Sequence, residues 1–262
     1  MNILVCVKQV PDPAEIKIDP VTKTLIRAGV PSIVNPFDAY ALETAVRLKE
    51  KNGGTVTVIS MGPQQAEEAL RECLALGADE AWLVTDRAFG GSDTLATSYI
   101  LSKAIERVGR FDIILCGKQA IDGDTGQVGP EIAEHMSIAQ VTYAFEAELE
   151  EDKLLCKREN DDGYELVQCE LPAVVTVIKT EYEPRRPSIK SKMAAKKKEV
   201  GVITLAEIEN IDKTRIGLGG SPTKVKKTFT PELKDSGVRI KEATERDSAM
   251  KLLSLLSEND LL

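Results

Sequence analysis

Histidine and tryptophan occur once each among the 262 residues, and aromatic residues make up only 4%. A single histidine, His135, leaves little from which to build a zinc site. The five cysteines (Cys6, Cys73, Cys116, Cys156, Cys169) are scattered, with no C-x-x-C pair, so no zinc motif forms. Their number is odd, and Cys6 and Cys116 sit in apolar runs, the pattern of reduced core thiols in a cytoplasmic protein. No stretch of about 18 apolar residues exists, so no membrane-spanning helix is expected. Met1-Asn2-Ile3-Leu4-Val5 enters a strand-like run with neither a basic leader nor a small-residue cleavage site, so no signal peptide is expected. The net charge of −8 argues against general nucleic-acid binding. One region departs from that acidity: Arg185 to Lys198 carries seven basic residues and no acid. An apolar content of 42% suffices for a packed core in one large or two smaller domains.

The chain alternates strand-like and helix-like segments. Asn2 to Lys8 reads as a first strand, and Val10 to Arg27 as a hairpin or excursion. A turn at Val34 to Asp38 leads into a helix from about Ala39 to Lys51, ended by Gly53-Gly54. Thr55 to Ser60 is a strand. Pro63 opens a helix to about Leu76, with Gly77 as its C-cap. Ala81 to Thr85 is a strand, and Ser92 or Asp93 caps a helix from about Thr94 to Val108. Phe111 to Cys116 is a further strand. This order predicts an α/β fold: a parallel sheet with helices on both faces, whose ligands lie at the strand carboxyl ends. Tyr143 to Glu170 alternates around turns at Glu151-Asp152 and Asp161-Asp162-Gly163 and reads as a β-hairpin. Ala173 to Ile178 is a buried strand. Gly217 to Pro222 and Phe229 to Gly237 read as extended linker, and Thr244 to Leu256 as a final amphipathic helix on a C-terminal arm.

Phe111 to Pro130 places a glycine-bearing loop (Gly117, Gly123, Gly126, Gly129) between an apolar strand and a helix start. That arrangement suits phosphate, because glycine lets the backbone approach an anion and the first helical N–H groups are free to donate. The spacing is neither the dinucleotide fingerprint nor the Walker loop, and Asp122 and Asp124 would repel a phosphate that they faced. A tight surface turn is the other reading. Gly90-Gly91-Ser92-Asp93 has a feature of pyrophosphate-releasing ATP enzymes, but a helix cap accounts for it. His135 is read as an ordinary histidine rather than a base. No self-contained catalytic machinery emerges, which fits a cofactor-holding or electron-carrying role.

Four motifs point further: VCVKQVPD (5–12), VNPFDAYALE (34–43), GKQAIDGDTGQVGP (117–130) and EPRRPSIKSKMAAKKK (183–198). With them the chain resembles the beta subunit of electron-transfer flavoproteins along essentially its whole length. The resemblance implies an adenine-nucleotide-binding, Rossmann-like fold and a heterodimer with an alpha subunit. It implies a domain over 1–225, a recognition loop at 183–200, and a 226–262 linker and helix packing on the alpha subunit. It implies a nucleotide site built by Cys6, Asn35, Pro36, Phe37, Asp38 and Met61. The loop residues Gly117, Lys118, Gln119, Ala120, Ile121, Asp122, Gly123, Asp124, Thr125, Gly126, Gln127 and Val128 complete that site.

In ordinary members the nucleotide is AMP. In electron-bifurcating members it is FAD, which takes hydride from NADH and splits the electron pair. The DGDTGQVGP loop and the GGSDTLATS stretch (90–98) resemble the second kind, placing Asp93, Thr94 and Thr97 near the flavin; helix capping is the alternative for these three. The recognition loop implies docking through Arg185, Arg186, Ile189, Lys192 and Met193, with Ile189 where the family usually has leucine. The implied electron acceptors are an acyl-CoA or similar dehydrogenase and ferredoxin or flavodoxin. An ordinary AMP-containing carrier subunit and a stand-alone nucleotide-binding protein are the alternatives.

Overall fold

The computed structural model describes residues 1–12, 17–18, 25–26, 31–226 and 237–262. Its strands and helices run in chain order β1 (Asn2–Cys6), β2 (Gln9–Pro11), β3 (Lys17–Ile18), β4 (Leu25–Ile26), β5 (Ser32–Val34), α1 (Pro36–Asn52), β6 (Thr55–Met61), α2 (Glu67–Leu76), β7 (Glu80–Val84), α3 (Thr94–Val108) and β8 (Ile113–Gly117). They continue as α4 (Val128–Met136), β9 (Ala139–Glu150), β10 (Lys153–Asn160), β11 (Gly163–Glu170), β12 (Ala173–Val177), α5 (Ile189–Ala195), β13 (Gly201–Ile203), α6 (Gly217–Gly220) and α7 (Glu245–Glu258).

Nine strands form one sheet in the order β11-β10-β9-β12-β8-β1-β6-β7-β13. Only the β9–β10 and β10–β11 pairs are antiparallel; the pairs around β1 are parallel. The sheet therefore grows from β1 through β6 to β7 on one side, then restarts at β8 on the other. The boundary between β1 and β8 is the switch point at which open α/β sheets leave a crevice for ligands.

The sequence produces this through its two periodicities. In β1, Ile3 and Val5 face one way and Leu4 and Cys6 the other, all buried. Ile3 and Val5 join Leu42 and Ala45 of α1 and Leu70 and Cys73 of α2 in one core cluster. Leu4 and Cys6 join Ile100 and Ile105 of α3 and Ile132 of α4 in the other. Helices thus cover both faces of the sheet, as the segment order predicts. Each fully buried leucine or isoleucine contributes about 1.5–3 kcal/mol.

Several expectations are revised. Tyr143 to Glu170 belongs to a three-stranded meander, not a two-stranded hairpin, and its first strand pairs parallel with β12, so the meander extends the main sheet. Gly217 to Gly220 forms a helical turn rather than extended linker. Gly217 has φ 61, and a Cβ there would collide with the Ala88 carbonyl, so the turn packs against the 87–91 segment. β13 was not anticipated; it pairs with β7 at the far edge. In the 10–27 excursion, β3 and β4 pair antiparallel, but most of that excursion lies outside the described residues, as does most of the 229–237 linker. The last helix has the expected start, with Thr244 accepting from Asp247 N as N-cap, and none of its residues is buried.

Candidate functional site

At the switch point the carboxyl ends of β1 and β8 are tied together by a buried carboxylate. Asp38, in the first turn of α1, accepts from Lys8 N at 2.8 Å and from Gly117 N at 3.1 Å. These are the backbone groups just past β1 and at the end of β8. Gly117 has to be glycine here, because a Cβ would lie 2.7 Å from Asp38 N. Burial pushes the Asp38 carboxyl up to about 7, against the opposing pull of the N–H groups it accepts. Below it, Cys6 and Cys116 face each other across the β1–β8 register. Contact with the Cys116 thiol, then burial, pushes the Cys6 thiol well above its ordinary range. That thiol is a buried core group rather than a redox group.

A second clamp fixes the 117–127 loop. Asn35 is fully buried. Its Nδ2 donates to Gln119 O at 2.8 Å, and its Oδ1 accepts from Ile121 N at 3.1 Å. Its own N–H donates to Lys8 O at 2.9 Å. One side chain therefore sets the loop relative to β1. Lys8 Nζ reaches both oxygens of Asp122 at 2.7 and 2.8 Å, and Gln119 Nε2 donates to Asp124 Oδ1 at 2.8 Å. Both carboxylates that might repel an anion are thus engaged by donors. Asp124 and Gly126 adopt positive φ, 50 and 63, which turns the loop into α4. That helix starts at Val128, and the N–H groups of its first turn lack intrahelical acceptors. With its dipole they suit a phosphate. Around Gly123 a Cβ would meet nothing within 4 Å, so the loop tip faces open space. These features suit an anion at the loop and the start of α4.

The remaining predicted residues fall as follows. Pro36 and Phe37 open α1, and Met61 ends β6. Phe37 and Lys118 also border a cavity of about 590 Å³ lined further by Phe145, Tyr164 and Ile178. Lys118 Nζ lies 4.9 Å from the Tyr143 ring centre, on the meander side. Thr94 Oγ1 donates to Gln127 Oε1 at 2.9 Å, tying the start of α3 to the loop. Thr97 follows one turn later, its N–H bonded to Asp93 O. The Asp93 carboxylate is occupied: Oδ1 accepts from Ala96 N at 3.1 Å as the helix cap, and Oδ2 accepts from Thr223 N and Oγ1 at 2.9 and 2.8 Å. Burial alone would raise this carboxyl; the Thr223 and Ala96 donors outweigh it and hold it below the usual range. Asp93 therefore meets the capping alternative, and Asn35 and Asp38 frame the site from within rather than lining it. His135 stands in the last turn of α4, roughly 10 Å from its start, edge-on to Tyr99 with ring centres 5.7 Å apart, away from the loop.

In the basic segment, Ile189 and Met193 lie four residues apart on α5 and are 83% and 61% exposed; Arg186 and Lys192 are exposed beside them. Arg185, an expected docking cation, is engaged within the chain. Its guanidinium bonds Glu43 at 2.7 and 3.1 Å and Glu50 at 2.7 and 3.1 Å on α1. Glu43 is buried; burial favours its neutral form, but Arg185 and Arg47 outweigh that and hold it below the usual range. Arg185 thus braces the segment against α1. Sequence reasoning left the Lys8 ammonium out of the site, although Lys8 ends the first predicted strand, and ligands gather at strand carboxyl ends.

A family model described as Electron transfer flavoprotein domain matches residues 22–208. An electron transfer flavoprotein subunit beta of Thermoanaerobacterium thermosaccharolyticum is 58% identical over 250 residues, 94% of this chain and 95% of the relative. One from Clostridium acetobutylicum is 52% identical over 259 residues, 99% of each chain. The Caffeyl-CoA reductase-Etf complex subunit CarD of Acetobacterium woodii is 46% identical over 263 residues, 100% of each. With a family model over most of its length and relatives matched end to end, the chain belongs to the electron transfer flavoprotein family, among its beta subunits.

Proposed function

We propose that this chain, paired with an alpha subunit, binds FAD in the β1–β8 crevice, takes hydride from NADH and divides the electrons between two acceptors. The observation that carries this reading is the Asn35 clamp, which sets the 117–127 loop and the start of α4 over the switch point. When bound, FAD would accept an electron pair as hydride and release the electrons singly, the chemistry that bifurcation requires. The protein's share is positional. Gly123 to Val128 and the α4 start hold the phosphates, Cys6 and Met61 wall the adenine, and Thr94, whose hydroxyl donates to Gln127 of the loop, and Thr97 lie on the flavin side. Ile189 and Met193, with Arg186 and Lys192 at their rim, form an apolar anchor for an acidic dehydrogenase surface. The Acetobacterium woodii relative is named for a caffeyl-CoA reductase complex, which supports an oxidoreductase of CoA thioesters as the high-potential acceptor. Ferredoxin or flavodoxin would take the low-potential electron. The arm beyond Val225 packs on the alpha subunit, its apolar Met250, Leu252 and Leu253 being exposed in the single chain. The working location is the cytoplasm.

A second reading keeps AMP in the same crevice, and the occupied Asp93 carboxylate favours it, because one expected flavin contact is used elsewhere. The test is a coupled assay of the purified heterodimer with NADH, ferredoxin and a CoA-thioester dehydrogenase. Bifurcation predicts that ferredoxin is reduced only while the high-potential acceptor turns over. Absence of NADH oxidation would leave the AMP reading.

A further inference from the structure

The 117–127 loop places two carboxylates where the proposed function places phosphates, and the two are handled differently. Asp124 is held by a neutral donor of its own loop, Gln119 Nε2 at 2.8 Å. Asp122 is held by a full positive charge from outside the loop, the Lys8 ammonium, at 2.7 and 2.8 Å. Lys118, the cation within the loop, is directed at the Tyr143 ring instead. The Lys8–Asp122 side chains are 49% and 35% exposed, and so open a pair adds little to fold stability. Its effect falls instead on the electrostatic potential at the crevice mouth, where an uncompensated Asp122 would oppose any anion approaching the loop N–H groups.

We propose that Lys8 is a positioning residue for the nucleotide: it neutralises Asp122 and holds that carboxylate to the β1 side, so that the loop accepts an anionic phosphate. It acts through Asp122 rather than by touching the ligand. This inference rests on the nucleotide site proposed above.

The test is a double-mutant cycle on the co-expressed heterodimer, stripped of its nucleotides and titrated with AMP, whose adenylate is common to both candidate ligands. Lys8→Met is expected to weaken AMP binding roughly tenfold at low ionic strength, and the defect should shrink as salt screens Asp122. Asp122→Asn, which leaves Lys8 free, should bind AMP more tightly than the wild type. The double variant should return to within about twofold of the wild type. Thermal unfolding of each variant separates lost binding from lost folding. A double variant as weak as Lys8→Met would mean that Lys8 touches the phosphate itself and would overturn the inference. Wild-type affinity in Lys8→Met would overturn it as well. A wild-type heterodimer that binds AMP with none of these differences refutes the inference alone, whereas one that binds no adenine nucleotide refutes the underlying site and the inference with it.

Discussion

Asn35→Asp changes one atom of the loop clamp and nothing in its shape. The Nδ2 donor to Gln119 O becomes an oxygen, while Oδ1 still faces Ile121 N. As a carboxylate, the new side chain sets oxygen against the Gln119 carbonyl and adds a charge three residues from the buried Asp38. As a neutral acid it donates to Gln119 O and reproduces the native clamp. Burial and the facing carbonyl both favour the neutral acid, so its folded pKa rises above an unfolded value of about 3.9. A raised folded value means that the folded chain binds more protons, so stability is fully present below that unfolded value and is lost as pH rises. One buried bond lost and one carbonyl left opposed by oxygen are together worth about 2–4 kcal/mol at pH 8. Asn35→Ala, which loses both bonds, should show a similar deficit at every pH. Urea unfolding of each variant against wild type at pH 5 and pH 8 measures this, with amide exchange at Ile121 as the local readout. A deficit below about 0.5 kcal/mol at pH 8, or one equal at both pH values, would refute the clamp.

Three further outcomes follow from neighbouring contacts. Because Asp38 is held up at about 7, the wild type should lose stability as pH rises from about 4 through 7; Asp38→Asn should be less stable yet lack that slope in pH-dependent unfolding. Arg185→Met leaves Glu43 buried with Arg47 as its remaining partner, so it should cost about 2–4 kcal/mol and open the 183–200 segment to limited proteolysis; an unchanged midpoint and digestion pattern would contradict the brace. Asp93→Ala should cost about 1 kcal/mol through the lost α3 cap and should speed amide exchange at Thr223, whose N–H it now receives.

What was legible in the sequence follows from local physics. β1, β6, β8 and β12 are short apolar runs between glycines and charges, and α3 has the predicted bounds because Asp93 caps it and Gly109 follows it. The parallel sheet with ligand positions at its strand carboxyl ends followed from segment order; the switch point between β1 and β8 needed the strand order. The parts that were missed depend on distant partners. Glu43 and Arg185 are 142 residues apart, and Asp93 and Thr223 are 130 apart; neither pair leaves a periodic trace. β13 spans three residues, too few for a pattern, and exists because β7 offers it an edge. The meander was read as a hairpin because alternation shows strand character without showing which strand the segment joins.

The most direct measurement is the nucleotide content of the purified heterodimer, released by denaturation, separated by chromatography and counted. The account predicts two FAD and no AMP per heterodimer, one in the crevice and one that the family resemblance implies is held mainly by the alpha subunit, with the crevice FAD lost selectively in Asn35→Asp at pH 8. One FAD and one AMP would contradict the bifurcating reading and leave a single-flavin carrier. One FAD with no second nucleotide would contradict the crevice as a nucleotide site altogether.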